Sequence, residues 1–378
     1  MKILVQGDLY MKVEVLQACV ENALADLGLS LEFETITIET VVLDVPLPAP
    51  EEGKSQDTWN PASGSGSKVY EFHGPIDLLV EPIRAADFMV MHTAAVTQQV
   101  LEAARGLKAI ACGRGGPVNI DLEAVTRFGI PVVHAPGRNA RAVAEFIMGL
   151  ILAYDRHIIS GWDGIRHGLW RQGLFQYHLA SPGLAGAVMG MVGFGRVGRI
   201  LAPLAAAFGL RLLACDPYVD KQAVAQYGAE KVDSLDALIP QSDFVVILAR
   251  YTPETRHIIG ARELALMKPT ACLVNAARGP LLDYEALYPA LKEHRIKGAL
   301  LDVFATEPLN AGNPLLDLDN VLLTPHIAGA TQESVLCAGQ MMSADLRRII
   351  LGERPVNCIN PQVLDAPRRW DPQSLRQP

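Results

Sequence analysis

The chain has 378 residues, half of them hydrophobic and a fifth charged, with a formal net charge of −8. That length is too great for one ordinary core and fits two domains. The acidic balance, with no basic stripe to offset it, argues against nucleic acid as a partner. No run of about eighteen apolar residues is free of charge, so no transmembrane helix and no membrane association is expected. The opening Met1-Lys2-Ile3-Leu4-Val5 reads as a strand running into Gly7-Asp8 rather than as a signal peptide.

Taken in chain order, short apolar runs at residues 3–5, 33–38, 88–92, 107–112 and 131–133 alternate with amphipathic stretches at 13–27, 97–104 and 122–128. This alternation predicts a parallel sheet flanked by helices. The span 44–68 is rich in Pro, Gly, Ser, Glu and Asp and reads as a surface excursion without a core of its own. From Ala140 a long helical pattern (Ala142, Val143, Phe146, Ile147, Leu150, Ile151, Tyr154) leads into a second alternating segment. Its strands are expected at 187–192, 210–215, 244–248, 271–274, 298–303 and 321–323. A last amphipathic helix over 332–351 is expected to return to the front domain, which chain order alone leaves one helix short.

The expected fold is therefore α/β. It consists of two Rossmann-like or flavodoxin-like, doubly wound parallel-sheet domains with a cleft between them. Residues 1–140 plus 333–378 are expected to form the front domain and 141–332 the second, Rossmann-like domain, with the crossings near 140 and 330 as a hinge. The six cysteines (19, 112, 215, 272, 337, 358) are widely spaced with no C-x-x-C pair. Cys112, Cys215 and Cys272 lie inside apolar runs and read as small buried hydrophobes in a reducing compartment, so a cytoplasmic protein without disulfides or a metal site is expected. Arg368, Arg369 and Arg376 lie in a Pro-rich tail that reads as a solvated end.

The strongest motif is Val188-Met-Gly-Met-Val-Gly-Phe-Gly-Arg-Val-Gly198, which places Gly193, Gly195 and Gly198 in a G-x-G-x-x-G pattern. Gly193 permits a tight strand-to-helix turn, Gly195 lets backbone approach a pyrophosphate, and Gly198 lets helix and strand pack closely. The helix beginning near Arg196 offers free N–H groups and a positive dipole end to phosphates. Asp216 ends the next strand, where an acid accepts both ribose hydroxyls of NAD and disfavours the 2′-phosphate of NADP. NAD is the expected cofactor.

Three later segments place reactive side chains just past strands: Arg278 after 271–274, Glu307 after 298–303 and His326 after 321–323. Ligands of open α/β sheets lie outside the carboxyl ends of the strands, so the three are placed to converge. The remaining histidines show no metal-ligand spacing. His92 and His134 follow front-domain strands and sit where they could edge the expected cleft.

Over residues 88–364 the chain resembles the D-isomer-specific 2-hydroxyacid dehydrogenase family, which includes phosphoglycerate, glycerate and hydroxypyruvate/glyoxylate enzymes. The segments that carry the likeness are 186–198, Asp216-Pro217, 275–279, 302–308, 324–331, Val143-Ala-Glu145 and Gly168-Leu-Trp170. The resemblance implies that Arg278, Glu307 and His326 are catalytic. It implies backbone contacts from Arg196 and Val197 to the pyrophosphate and from Ala276 and Ala277 to the nicotinamide ribose, and it places Asp302 where family members hold the carboxamide. The loop Gly113-Arg-Gly-Gly-Pro-Val-Asn119 would cradle the substrate carboxylate, with Arg114, Gly115 and Gly116 foremost.

The same resemblance implies hydride transfer between nicotinamide and a small 2-oxo or 2-hydroxy acid. It also implies a homodimer formed across the nucleotide domains, with residues 142–154 and 162–177 as the candidate surface. A nucleotide-sensing, catalytically silent binding protein of the corepressor kind is the alternative. Formate oxidation is disfavoured because those relatives carry Gln at the Glu307 position. Two departures stand out. Arg114 and Pro117-Val118 replace the usual Gly-x-Gly-x-Asp-Asn pattern, so that Arg114 either reads a second acidic group or braces the loop. Arg250 in Leu248-Ala-Arg-Tyr-Thr252 stands near the expected adenosine site, where relatives carry His and Pro ahead of the Thr.

Overall fold

The computed structural model describes residues 1–38 and 72–365, together with residues 47 and 69. Most of the polar 44–68 segment and the arginine-bearing tail lie outside the described residues. The described chain divides into two compact units, one of residues 1–38, 72–139 and 330–365, the other of residues 140–329.

The front unit is built on five strands: β1 (Lys2–Asp8), β2 (Glu32–Ile38), β3 (Phe88–Met91), β4 (Ala109–Cys112) and β5 (Val132–His134). They lie in the order β2-β1-β3-β4-β5, and every pairing is parallel. β3 and β4 are buried along their whole length, as befits continuous apolar strands covered on both faces. β2 stands at the edge and shows a mixed exposed and half-buried pattern.

Two long helices share one core of this unit, while the short helices Gln98–Ala103 and Leu122–Arg127 pack in another. Val13–Leu24 buries Val13, Leu16, Val20 and Leu24, a spacing of one helical stripe. Gln332–Leu351 buries Val335, Ala338, Met342, Leu346, Ile349 and Ile350 in the same core. Thr331 caps its start by accepting from the Ser334 N–H at 3.1 Å, and Gly352 ends it at φ +82°, the left-handed region that glycine tolerates. Gly339 marks the close approach of the two helices, since a Cβ there would stand 2.6 Å from Cys19 Sγ.

The second unit has seven strands: β6 (Val188–Val192), β7 (Arg211–Cys215), β8 (Glu230–Lys231), β9 (Phe244–Ile247), β10 (Cys272–Asn275), β11 (Gly298–Leu301) and β12 (Val321–Leu323). Their order is β12-β11-β10-β9-β6-β7-β8, all parallel. The chain winds outward from β6 in both directions, so the order reverses between β6 and β9. That reversal is the switch point where doubly wound sheets bind dinucleotides. β8, only two residues long, is absent from the expected strands because it offers no apolar run to detect.

In the helix Ala140–Asp155, Val143, Ala144, Ile147, Met148, Leu150 and Ile151 are buried in the unit's own core, beside Leu201, Ala202 and Ala205 of the helix Arg196–Ala207. Its apolar stripe is satisfied within this unit. Cys112 and Cys272 are buried as expected, whereas Cys215 at the end of β7 is half-buried.

The helix–helix approach at Gly339 generates a test. Gly339→Leu forces four extra carbons against Cys19 and is expected to destabilise the protein by about 1–3 kcal/mol, an overpacking effect. The urea midpoint of the purified variant measures it, and an unchanged midpoint would contradict the packing.

Candidate active site

The glycine turn after β6 has the geometry of a dinucleotide site. Gly193 sits at φ +97°, and a Cβ there would lie 2.8 Å from the Ala249 nitrogen, so both conformation and space require glycine. Its N–H donates to the Cys215 carbonyl at 2.8 Å, joining the turn to the end of β7. Gly195 is exposed, and among the described residues no atom lies within 4 Å of the place a Cβ would take, which leaves room for a ligand to approach the backbone. Gly198 is buried, with a Cβ position 3.2 Å from the Phe194 ring.

The helix Arg196–Ala207 starts at Gly195 without a side-chain cap, leaving the N–H groups of Arg196 and Val197 for a phosphate. Asp216 accepts from the Phe194 N–H at 2.7 Å through Oδ2 and from the Tyr218 N–H at 2.8 Å through Oδ1. Each oxygen keeps a lone pair for a ribose hydroxyl, so the carboxylate both braces the turn and fits the cofactor. Arg250 is exposed after β9, the strand next to β6.

The three candidate catalytic residues follow the neighbouring strands β10, β11 and β12 at their carboxyl ends. Asn275, buried at the end of β10, donates from Nδ2 to the Arg278 carbonyl at 3.0 Å and accepts from the Ala277 N–H at 3.1 Å. This side chain shapes the turn over Ala276 and Ala277 and delivers Arg278, half-buried, to the strand edge. Gly279 presses this turn onto the next one: a Cβ there would fall 1.8 Å from the Phe304 carbonyl oxygen. From that second turn, Glu307 Oε1 accepts the Phe304 N–H at 2.8 Å, while Oε2 meets His326 Nδ1 at 2.7 Å.

His326 stands at φ +54°, its N–H donating to the Thr324 carbonyl at 3.0 Å. With Nδ1 committed to Glu307, Nε2 is the ring atom left to exchange a proton. The His326 side chain is 38% exposed, so the proton is accessible.

Asp302 directly follows β11. It has no exposed surface. Its Oδ1 accepts from Thr324 Oγ1 at 2.7 Å and the Ile327 N–H at 2.9 Å, and its Oδ2 from the Ala328 N–H at 2.8 Å. Asp302 thereby anchors the turn that carries His326.

In the front unit, Gly115 and Gly116 are exposed and Arg114 is half-buried, its carbonyl accepting from the Ala135 N–H at 3.0 Å. His134 Nδ1 lies 3.0 Å from the Gly115 carbonyl, and buried Asn119 donates to the carbonyls of His92 and Ala94. The loop 113–119 is thus fastened to the ends of β3 and β5.

Beside it lies a group that sequence spacing alone does not assemble. Asp8 Oδ2 meets His92 Nδ1 at 2.5 Å and accepts from Thr93 Oγ1 at 2.9 Å, while Oδ1 accepts from the Tyr10 and Met11 N–H groups. Gln6 Oε1 accepts from the N–H groups of His92, Thr93 and Ala94. Arg138 stacks over the Tyr10 ring at 5.6 Å. Gln6, Asp8, Tyr10 and Arg138 carry no motif, and only adjacency of β1 to β3 could have signalled them.

With this geometry in place, comparison with known proteins is direct. The family model described as D-isomer specific 2-hydroxyacid dehydrogenase, NAD binding domain, matches residues 148–328. A glyoxylate reductase of Thermofilum pendens is 39% identical over 287 residues, which cover 76% of this chain and 85% of that enzyme. The chain belongs to the D-isomer-specific 2-hydroxyacid dehydrogenase family. It is an NAD-dependent oxidoreductase.

A D-3-phosphoglycerate dehydrogenase of Methanocaldococcus jannaschii is 41% identical over 283 residues, 75% of this chain but only 53% of that longer enzyme. A crystal structure of a Thermus thermophilus protein superposes with a TM-score of 0.73 at 29% identity, covering 95% of this chain and 100% of that one. The relatives are dehydrogenases and reductases, which supports the enzymatic reading over the nucleotide-sensing alternative. Among the described residues, no group of three or more His, Cys, Asp or Glu side chains is placed to hold a metal, and no helix is long and apolar enough to cross a membrane.

The buried pair in the front unit sets an acid limit on stability. Burial pushes the Asp8 carboxyl up, but the His92 imidazole, the Met11 N–H and the Thr93 hydroxyl outweigh it and hold it at about 2. Burial holds the His92 imidazole below its usual 6.5, against the upward pull of Asp8. For both groups the unfolded chain takes up its proton at a higher pH than the folded one, so stability falls with pH. The His92 contribution is expected to decline from pH 6.5 downward, and that of Asp8 from 3.8 towards 2. Urea midpoints across this range test it: His92→Gln should flatten the upper part of the decline, and an identical slope would contradict the assignment.

Proposed function

We propose that this dehydrogenase works as a reductase of a small polar 2-oxo acid, forming the D-2-hydroxy acid. The observation that carries the reading is the 2.7 Å bond between His326 and Glu307, held on the same sheet edge as Arg278. NAD, when bound in its reduced form, supplies hydride from nicotinamide C4. Arg278 presents a planar fork to the carboxylate and carbonyl oxygens of the substrate, polarising the carbonyl and fixing its reactive face.

His326 delivers a proton from Nε2 to the forming alkoxide and takes it back in the reverse direction. Glu307 fixes the ring orientation through its contact with Nδ1. Arg196 and Val197 N–H groups hold the pyrophosphate, Asp216 the adenosine ribose, and Ala276 and Ala277 pass close to the nicotinamide ribose. Asp216 sets the preference for NAD over NADP. The Gly115 and Gly116 amides, with Arg114, receive the substrate carboxylate. The relatives named glyoxylate reductase and D-3-phosphoglycerate dehydrogenase support a small, oxidised 2-carbon or 3-carbon acid as substrate.

The enzyme is further proposed to be a cytoplasmic homodimer. The six unpaired cysteines fit a reducing setting. The surface for a second copy is residues 142–154 together with the stretch 162–177. There Trp162 is 56%, Trp170 80%, Phe175 90% and Tyr177 98% exposed, more apolar area in one stretch than a monomer usually leaves to water.

Two experiments test these proposals. NADH oxidation, with NADPH alongside, against glyoxylate, hydroxypyruvate and its 3-phosphate is expected to show turnover with NADH preferred. His326→Ala should lower kcat by about 10²–10⁴ while leaving NADH affinity unchanged, and turnover indifferent to the substitution would reject the mechanism. Light scattering on the eluting protein is expected to give a dimer mass for the natural chain and a monomer mass for Trp170→Glu/Phe175→Glu. A monomeric natural chain would reject the dimer.

A further inference from the structure

We infer that the hydroxyl of Tyr284 is a positioning group for the reaction, clamping the turn that carries Arg278 to the strand end that holds Glu307 and His326. The inference rests on the reading that these three residues act on the substrate. Its first support is the route from the hydroxyl to Arg278. The Arg278 guanidinium donates from Nη1 to the Ala277 carbonyl at 2.8 Å, so its place depends on the turn beneath it. Asn275 shapes that turn, with Oδ1 accepting from the Ala277 N–H and Nδ2 donating to the Arg278 carbonyl. The same side chain also bonds the Tyr284 hydroxyl. A carboxamide has two N–H hydrogens and two oxygen lone pairs, enough for all three partners.

The second support is the route to the other two groups. The Tyr284 hydroxyl donates to the Val303 carbonyl at 2.5 Å. Val303 lies between the two residues from which Glu307 and His326 take their places. On one side Asp302 holds Thr324, Ile327 and Ala328 around His326. On the other, the Phe304 N–H donates to Glu307 Oε1. One phenol oxygen thus joins the turn after β10 to the end of β11. Asn275 and Val303 have no exposed surface, so water does not replace the oxygen for either of them if it is removed.

The third support is how firmly the phenol itself is held. Asp283 caps the helix Tyr284–Lys292 by accepting from the Glu285 and Ala286 N–H groups at 3.1 and 3.2 Å, which fixes Tyr284 as its first residue. The ring packs against Phe304, with centroids 6.4 Å apart at 44°. Burial pushes the hydroxyl well above its usual 10, and the nearby charge of Glu307 pushes it the same way. The group therefore keeps its proton, and stays a donor, throughout the range in which histidine titrates. A phenylalanine here keeps the cap and the ring and removes only the oxygen.

Tyr284→Phe is accordingly the test. With NADH and either glyoxylate or hydroxypyruvate, whichever the natural enzyme reduces faster, it is expected to lower kcat/KM about tenfold. In an Arg278→Met background the same change should cost less than about twofold, because the oxygen acts through Arg278. Equal losses in both backgrounds would mark a general structural role and overturn the inference, as would a natural kcat/KM in the single variant. Amide hydrogen exchange gives a readout without turnover. Residues 275–281 and 302–308 should exchange about tenfold faster in Tyr284→Phe, with residues 188–215 unchanged. Unchanged exchange in both turns, or a variant that does not fold, would overturn the clamp. A natural enzyme that binds NADH but reduces neither acid would instead reject the reductase reading, and the exchange result would then decide whether Tyr284 joins the two turns.

Discussion

One buried carboxylate governs the reactive edge of the nucleotide unit. Asp302 leaves β11 without exposed surface and binds Thr324, Ile327 and Ala328, the residues on either side of His326. A carboxylate so deep in the protein is tolerable only with donors on its oxygens, and here the donors belong to the turn it must shape. The turn in consequence holds His326 at φ +54°, a backbone conformation that a non-glycine residue rarely adopts. Such local strain persists where surrounding bonds over-determine it. The position of the histidine relative to Glu307 is thus dictated from the core, while the ring itself remains open to solvent.

The same logic runs along the neighbouring turns. Asn275 folds the turn after β10 on its own backbone, and Gly279 lets that turn lie against the Phe304 carbonyl with no room for a methyl group. Phe304 in turn orients Glu307 through its N–H. Arg278, Glu307 and His326 therefore inherit their spacing from three adjacent parallel strands, roughly 4.8 Å apart, and from backbone contacts between consecutive turns. Rigid elements of this kind are what a site needs to hold reacting groups within fractions of an ångström.

Much of this was legible in the sequence, for definite reasons. The helix Gln332–Leu351 and strand Val321–Leu323 stand where apolar periodicity puts them, and Gly193 and Gly198 sit in the crowded places their spacing suggests. Arg278, Glu307 and His326 were visible because each follows an apolar run. What could not be read is whatever depends on strand order. His92 and Asp8 are 84 residues apart, and their contact exists because β1 lies next to β3 with β2 outside it. Alternating strands and helices do not specify that order. The helix Ala140–Asp155 is ambiguous for a related reason: an apolar stripe looks the same whether it faces a partner or the chain's own core.

The two histidine–carboxylate pairs show how one motif takes opposite characters from its surroundings. His326–Glu307 is 38% and 24% exposed, and an ion pair so wet contributes little to stability. Its value is directional, since it holds a ring whose far nitrogen must gain and lose a proton in every cycle. His92–Asp8 is almost closed to water, at 10% and 2%, and burial there works against a charged imidazole. A histidine so placed makes a poor shuttle of protons. It serves instead as a clasp, since its contact with Asp8 joins the carboxyl ends of β1 and β3. The difference in solvation separates a ring open to proton exchange from one that fastens two strands, using the same two residue types.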